Sequence, residues 1–237
     1  KWHFLRNEPI LVRLYCSSCK KRLSKKPDSQ DQEKLAQIAK ENIPFWYPKD
    51  KLRYNNGVEF KEGTHQTQAD DIPSLFTHRN LICLSILYNS IQKISNERIK
   101  SILLFTFTSA IAQTSKLCED RPTRPYSSAW ITHRYWIPRE FMEFNVWRVF
   151  SSHFEEKQGV LRGKEESQAS IGSKGLWKEA KNFEDLMHDK TILIKAVSVF
   201  DLSSNIPANS VDYCFTDPPY GDSIQYYELS KLWASWV

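Results

Sequence analysis

Asp217-Pro218-Pro219-Tyr220 is the segment of this chain whose residue types and order could do chemistry. Two adjacent prolines fix φ and carry no amide hydrogen, so the Asp217 carboxylate and nearby carbonyl oxygens can be held toward one point at low entropic cost. Converging acceptors suit an amino group. Tyr220 adds a flat apolar face on which a base drawn out of a duplex would stack, a contact worth ~1–3 kcal/mol per base in single-strand binders. Tyr226 is a further aromatic that could line a base pocket, and it equally suits a core beneath the loop. A second candidate is Cys16-Ser17-Ser18-Cys19, the spacing of a metal knuckle, followed by Lys20, Lys21, Arg22, Lys25 and Lys26. A tetrahedral zinc site needs four ligands, and no second close cysteine pair exists here, so Cys16 and Cys19 read as a half-site. The cations favour thiolates there and either touch phosphate or form an exposed basic loop. Cys83 and Cys118 fall in helical patterns and are expected to be buried small hydrophobes.

The elements that must position these residues differ along the chain. Residues 191–200 have the β-branched and apolar content of a strand, a polar turn spans 203–210, and 211–215 form a second short strand. The Asp217 loop then sits at the carboxyl end of a buried strand, the edge where α/β sheets place ligands. Residues 1–70 read as a small irregular module with one helix starting after Pro27-Asp28-Ser29. Residues 71–156 read as helical. Leu84, Leu87, Ile91 and Ile94, then Ile99, Leu103, Phe107, Ala110 and Ile111, recur at three- and four-residue steps and predict a helical hairpin. A third helix is expected from Pro138, with Phe141, Phe144, Trp147, Phe150 and Phe154 along one buried face. Residues 157–190 form a charged, exposed connection, and 191–237 carry the expected strands and the Asp217 loop. No glycine-rich loop follows a strand: Gly159, Gly163, Gly172 and Gly175 all lie in or beside the charged connection, and the cofactor-binding residues stay unassigned.

Composition bounds the rest. The 237 residues include 8 Trp, 13 Phe and 10 Tyr, large apolar surfaces that a solvated chain would not need. A formal net charge of +5 is compatible with nucleic acid without demanding it. The longest uncharged run, residues 101–115, carries Ser and Thr throughout and falls short of the roughly 20 apolar residues a membrane span needs. An odd count of 5 Cys argues against a disulfide framework and for a reducing compartment, so the expected location is cytoplasmic. The chain opens on Lys1 and closes on Val237 within an aromatic segment, and it reads as a fragment.

The Asp217 segment resembles the catalytic loop of the amino-group DNA methyltransferases, which use S-adenosylmethionine and carry Asp-Pro-Pro-Tyr or Ser-Pro-Pro-Tyr. The lead-in Ile206-Pro207-Ala208-Asn209-Ser210-Val211-Asp212 is also similar. More loosely, Leu75-Phe76-Thr77-His78-Arg79-Asn80-Leu81, Glu143-Phe144-Asn145-Val146-Trp147 and Ile224-Gln225-Tyr226-Tyr227-Glu228-Leu229-Ser230 resemble adenine-specific DNA methylases that contain a zinc ribbon. The resemblance implies an α/β chain with a partial Rossmann-like methyltransferase fold, a helical region and a zinc-ribbon-like module within residues 1–70. It implies that Asp217 and the Pro218 carbonyl accept hydrogen bonds from the amino group of a flipped base, that Pro219 stiffens the loop and that Tyr220 stacks on the ring. An Asp at the first position leans toward adenine N6. The implied cofactor is S-adenosylmethionine, with zinc at Cys16 and Cys19 completed by a pair upstream of Lys1. The implied partners are duplex DNA, no membrane, and a restriction or defence system. On this reading the fragment alone is inactive. The alternatives are a nucleic-acid or protein binding module with a silent loop, and methyl transfer to cytosine N4, to RNA or to a glutamine amide.

Overall fold

Side-chain caps set where the helices start. The computed structural model describes residues 8–53, 69–120, 135, 137–156, 159–172, 178–188, 191–221 and 226–237. Strands β1 (Val12–Cys16) and β2 (Lys21–Lys25) pair antiparallel with Leu14 opposite Leu23 and Cys16 opposite Lys21. Helix α1 (Ser29–Ile38) begins at Asp28 in a reciprocal capping box with Asp31, as the Pro27-Asp28-Ser29 signal predicts. Thr77 caps α2 (His78–Gln92) through the Asn80 amide, and Asn96 caps α3 (Glu97–Ile111) through the Ile99 amide. These two form the expected helical pair. Leu84 and Ile91 of α2 are buried with Phe107, Ala110 and Ile111 of α3, whereas Ile99 is half exposed at the open end of α3.

The third helix departs from expectation. Helix α4 (Val146–Glu155) starts eight residues after Pro138, where Asn145 Oδ1 accepts from the Arg148 amide. Part of the intervening stretch is engaged elsewhere: Phe141 bridges Glu119, and the Met142 amide donates to the Cys118 carbonyl at 2.7 Å. Residues hydrogen-bonded to a neighbouring segment cannot also coil. Phe141 and Phe144 are partly buried and Phe150 is buried, but Trp147 is 66% exposed, so the aromatic stripe is not a single core face.

The chain divides into two compact units, residues 1–154 with 225–237, and residues 155–224. The first unit is closed by α6 (Tyr226–Ala234), which buries Glu228 and Leu232, and by Trp236 in the turn that follows it. Trp236 is fully buried, with ring centroids 5.4 Å from Phe107, 5.9 Å from Tyr88 and 6.2 Å from both Phe76 and Trp46. Tyr135 fastens the start of α6: its hydroxyl donates to the Glu228 and Leu229 carbonyls and accepts from the Leu232 amide. Arg13 of β1 forks onto Asp120 at 2.9 and 3.1 Å.

The second unit is not a bare connection. It holds α5 (Val160–Ser167), a π-turn over Gln168–Gly172, and 3-10 turns over Glu184–Met187 and Val199–Ser204. Strands β3 (Lys178–Glu179) and β4 (Thr191–Ile192) pair in parallel. The strand expected over 191–200 is two residues long, matching its two-residue partner, and a 3-10 turn capped by the Ser198 hydroxyl begins at Val199. The strand expected over 211–215 is not formed: the described residues place no partner strand beside it, and its side chains are exposed. Two two-stranded sheets and the helices make this a mixed α/β protein.

Candidate functional site

The Asp217 loop is framed by two residues in the left-handed region, Asn209 at φ 59° and Gly221 at φ 60°. Asn tolerates that conformation and Gly has no side chain to clash. Open space surrounds the position a Gly221 Cβ would take, so the requirement for glycine is one of backbone conformation alone. The preceding turn is held by Ser210 Oγ donating to the Pro207 carbonyl at 2.6 Å, and Asn205 Nδ2 donates to Asp201 at 2.9 Å. Between these anchors Asp217, Pro218 and Pro219 are exposed, and Tyr220 is 63% exposed. The Asp217 carboxylate makes no hydrogen bond or ion pair among the described residues. Its oxygens are thus open to an incoming donor, but the loop does not sit at the end of a buried strand as expected. The structure brings together the four consecutive residues 217–220. Tyr226 and Tyr227 belong to the other unit, half exposed at the start of α6.

Cys16 and Cys19 lie at the tip of the β1–β2 hairpin. The chain turns through Lys20 at φ 54°, and the Cys19 amide donates to Cys16 Sγ at 3.5 Å. That amide, with the Cys19 thiol and the Ser18 amide, holds the Cys16 thiol below its ordinary value and favours thiolate. The donors suit zinc, but they supply two ligands. Among the described residues no group of three or more His, Cys, Asp or Glu is placed to hold a metal ion. Of the cations expected to favour thiolate or meet phosphate, Lys25 is instead engaged by Asp28 at 2.6 Å and Asp31 at 2.8 Å. Lys20 in the turn, Lys21 at the start of β2 and Lys26 just after it are exposed.

Of the other three cysteines, Cys214 is exposed, and the two expected to be buried split. Cys118 is fully buried, and burial pushes its thiol up to about 12. Cys83 is exposed, contrary to expectation, because it falls on the outer face of α2.

The described glycines of the charged connection form no phosphate cradle after a strand. Gly159 is the cap of α5, Gly163 lies inside that helix, and neither follows a strand. Residues 173–177, which contain Gly175, lie outside the described residues. No residue is assigned to hold an adenosyl group.

Two segments that carry the looser resemblance meet in the first unit. Arg79 forks onto Glu143, and Asn80 Nδ2 donates to the Thr114 carbonyl at 2.7 Å and the Phe144 carbonyl at 3.1 Å. These polar residues join α2 to the end of α3 and to the approach to α4. Lys116 adds to this lock with a 3.0 Å bond to the Ser74 carbonyl, and burial pushes its ammonium below its ordinary value. Glu228, given no role by its sequence context, is 2% exposed, and its Oε1 has no hydrogen-bond partner.

A scan against protein-family models finds no match, and comparisons with curated proteins and with solved structures find none. No helix among the described residues is long and apolar enough to cross a membrane.

Proposed function

We propose that the chain carries the catalytic loop of an S-adenosylmethionine-dependent DNA methyltransferase that modifies the exocyclic amino group of a flipped base, with adenine N6 the favoured target. The observation that carries this reading is the unengaged Asp217 carboxylate next to two prolines and an accessible Tyr220. Asp217 and the Pro218 carbonyl accept the two amine hydrogens and orient the nitrogen lone pair, Pro219 restrains the loop, and Tyr220 stacks on the ring. The cofactor supplies an electrophilic methyl group when bound. The chain's own contribution is positioning and electrostatics rather than a covalent intermediate. A Rossmann-like sheet around this loop, and a zinc ribbon in which Cys16 and Cys19 provide half of the ligands, belong to the same proposal.

Transfer of a labelled methyl group to duplex DNA by the full-length protein tests it. Asp217→Ala is expected to lower the rate by about 100-fold or more, the scale on which loss of one preorganised polar contact acts. A rate that does not respond to this substitution removes the mechanism. Metal analysis of the same full-length protein addresses the hairpin: Cys16→Ser is expected to lose the zinc, and an equal zinc content in both proteins discards the ribbon.

A further inference from the structure

The first unit contains a groove of about 910 Å³ lined by the run Glu41–Tyr47, Lys49, Pro73, His78 and Leu81. Its volume lies within the ~300–1,000 Å³ of ligand clefts. Two features make it more than an apolar hollow.

The first is a preformed aromatic wall. Phe45 is 39% and Trp46 55% exposed, although rings this large normally seek burial. Trp46 is not loose: it meets Trp236 edge-on at 6.2 Å and Tyr88 at 5.2 Å, so the core holds it while much of its surface stays in water. Pro44 and the buried Pro48 restrain the run on either side of these rings. His78 Nε2 donates to the Glu41 carbonyl at 2.7 Å and pins the start of the run to α2.

The second is charge. Lys49 Nζ lies 5.4 Å from the centre of the Tyr47 ring and Lys93 Nζ lies 5.6 Å from that of Phe45. Neither lysine forms an ion pair among the described residues, whereas Lys25, Lys51, Arg13 and Arg79 are each matched to a carboxylate. Glu41 is the single carboxylate on the groove wall. Exposed rings beside cations that have no carboxylate partner among the described residues match a polymer whose flat groups stack and whose backbone is anionic.

We propose that this groove binds an unpaired stretch of single-stranded nucleic acid, with bases on Phe45 and Trp46 and phosphates near Lys49 and Lys93. Duplex is the wrong shape because its bases are already stacked on one another. The site stands apart from methyl transfer and does not depend on the chemistry proposed for Asp217. A proline-rich peptide also favours aromatic grooves, but it gives the two lysines no counter-charge.

Fluorescence anisotropy of a labelled oligodeoxythymidylate, compared with a labelled mixed-sequence duplex and a labelled proline-rich peptide, decides the matter. The single strand is expected to bind most tightly. Phe45→Ala is expected to weaken it about tenfold, within the range for loss of one stacked base. Lys49 and Lys93 are exposed, so the Lys49→Ala/Lys93→Ala double variant keeps the fold; it is expected to lower the slope of log affinity against log salt by about 1.4, from about 0.7 per phosphate contact. Asp217→Ala is expected to bind the oligonucleotide like the unaltered protein, even where methyl transfer is lost. Four results would each overturn the proposal: a salt slope and affinity unchanged in both groove variants, tighter binding of the duplex, binding of the peptide without the oligonucleotide, or loss of oligonucleotide binding in Asp217→Ala.

Discussion

At the scale of single residues, burial separates groups that share a chemistry. Cys16 and Cys118 are both thiols, yet the Cys19 amide stabilises a thiolate at the first, while burial keeps the second protonated up to about 12. Alkylation of the native protein near pH 7.5, followed by peptide mass spectrometry, is therefore expected to label Cys16 rapidly and to spare Cys118 until denaturant is added. Labelling of both at one rate would show that the hairpin amide does not act as described. Asn80 makes the same point for hydrogen bonding. Its amide donates to the buried Thr114 carbonyl and the part-buried Phe144 carbonyl, and Asn80→Ala removes both bonds. The expected loss is about 2–4 kcal/mol from the two lost bonds, read from the urea unfolding midpoint, with Asn80→Asp no better because it brings no donor.

At the scale of elements, the helices were legible where cap and periodicity agree, and obscure where a distant segment competes. Asp28, Thr77 and Asn96 are all cap-type residues ahead of good helical patterns, and α1, α2 and α3 begin at them. Pro138 also looks like a helix start, but the nearby Met142 amide is taken by Cys118, a contact no local pattern announces. The strand expected at 211–215 failed for a related reason: β-branched and aromatic content describes a residue suited to a sheet, and a sheet requires neighbours that composition cannot supply. The loop itself was legible as a motif, but its exposure was not. Where a cap is legible, its titration is too. Asp28 is held down to about 2, first by the Lys25 ammonium and then by the Asp31 amide. A carboxyl lowered on folding adds stability above its unfolded value near 4, and that contribution fades as pH falls toward 2. Carbon-detected NMR titration is expected to show Asp28 charged until about pH 2. Asp28→Asn is expected to keep the cap while α1 loses its acid response.

At the scale of the whole molecule, what holds the chain folded and what is proposed to meet a substrate are carried by different residues. The first unit closes on Trp236, whose ring lies among Phe76, Tyr88 and Phe107, with Leu232 buried one turn earlier on the same face. The last residues of the chain thus complete a core begun more than a hundred residues upstream. The Asp217 loop makes no such contacts, and around it Tyr213 and Phe215 stand in solvent, Phe215 at 82% exposure. Removing a fully buried indole costs about 3–5 kcal/mol, a large share of the 5–15 kcal/mol that ordinarily keeps a protein folded. Asp217→Ala removes an exposed side chain with no partner and should fall within about 0.5 kcal/mol of the unaltered protein. Trp236→Ala is therefore expected to lower the melting temperature markedly, seen by circular dichroism and by earlier loss of the protected Cys118. Asp217→Ala is expected to melt with the unaltered protein and to fail only in methyl transfer. If instead Asp217→Ala melts early, the carboxylate is holding structure together, and its openness to a substrate amine is no longer the explanation for its place in the loop.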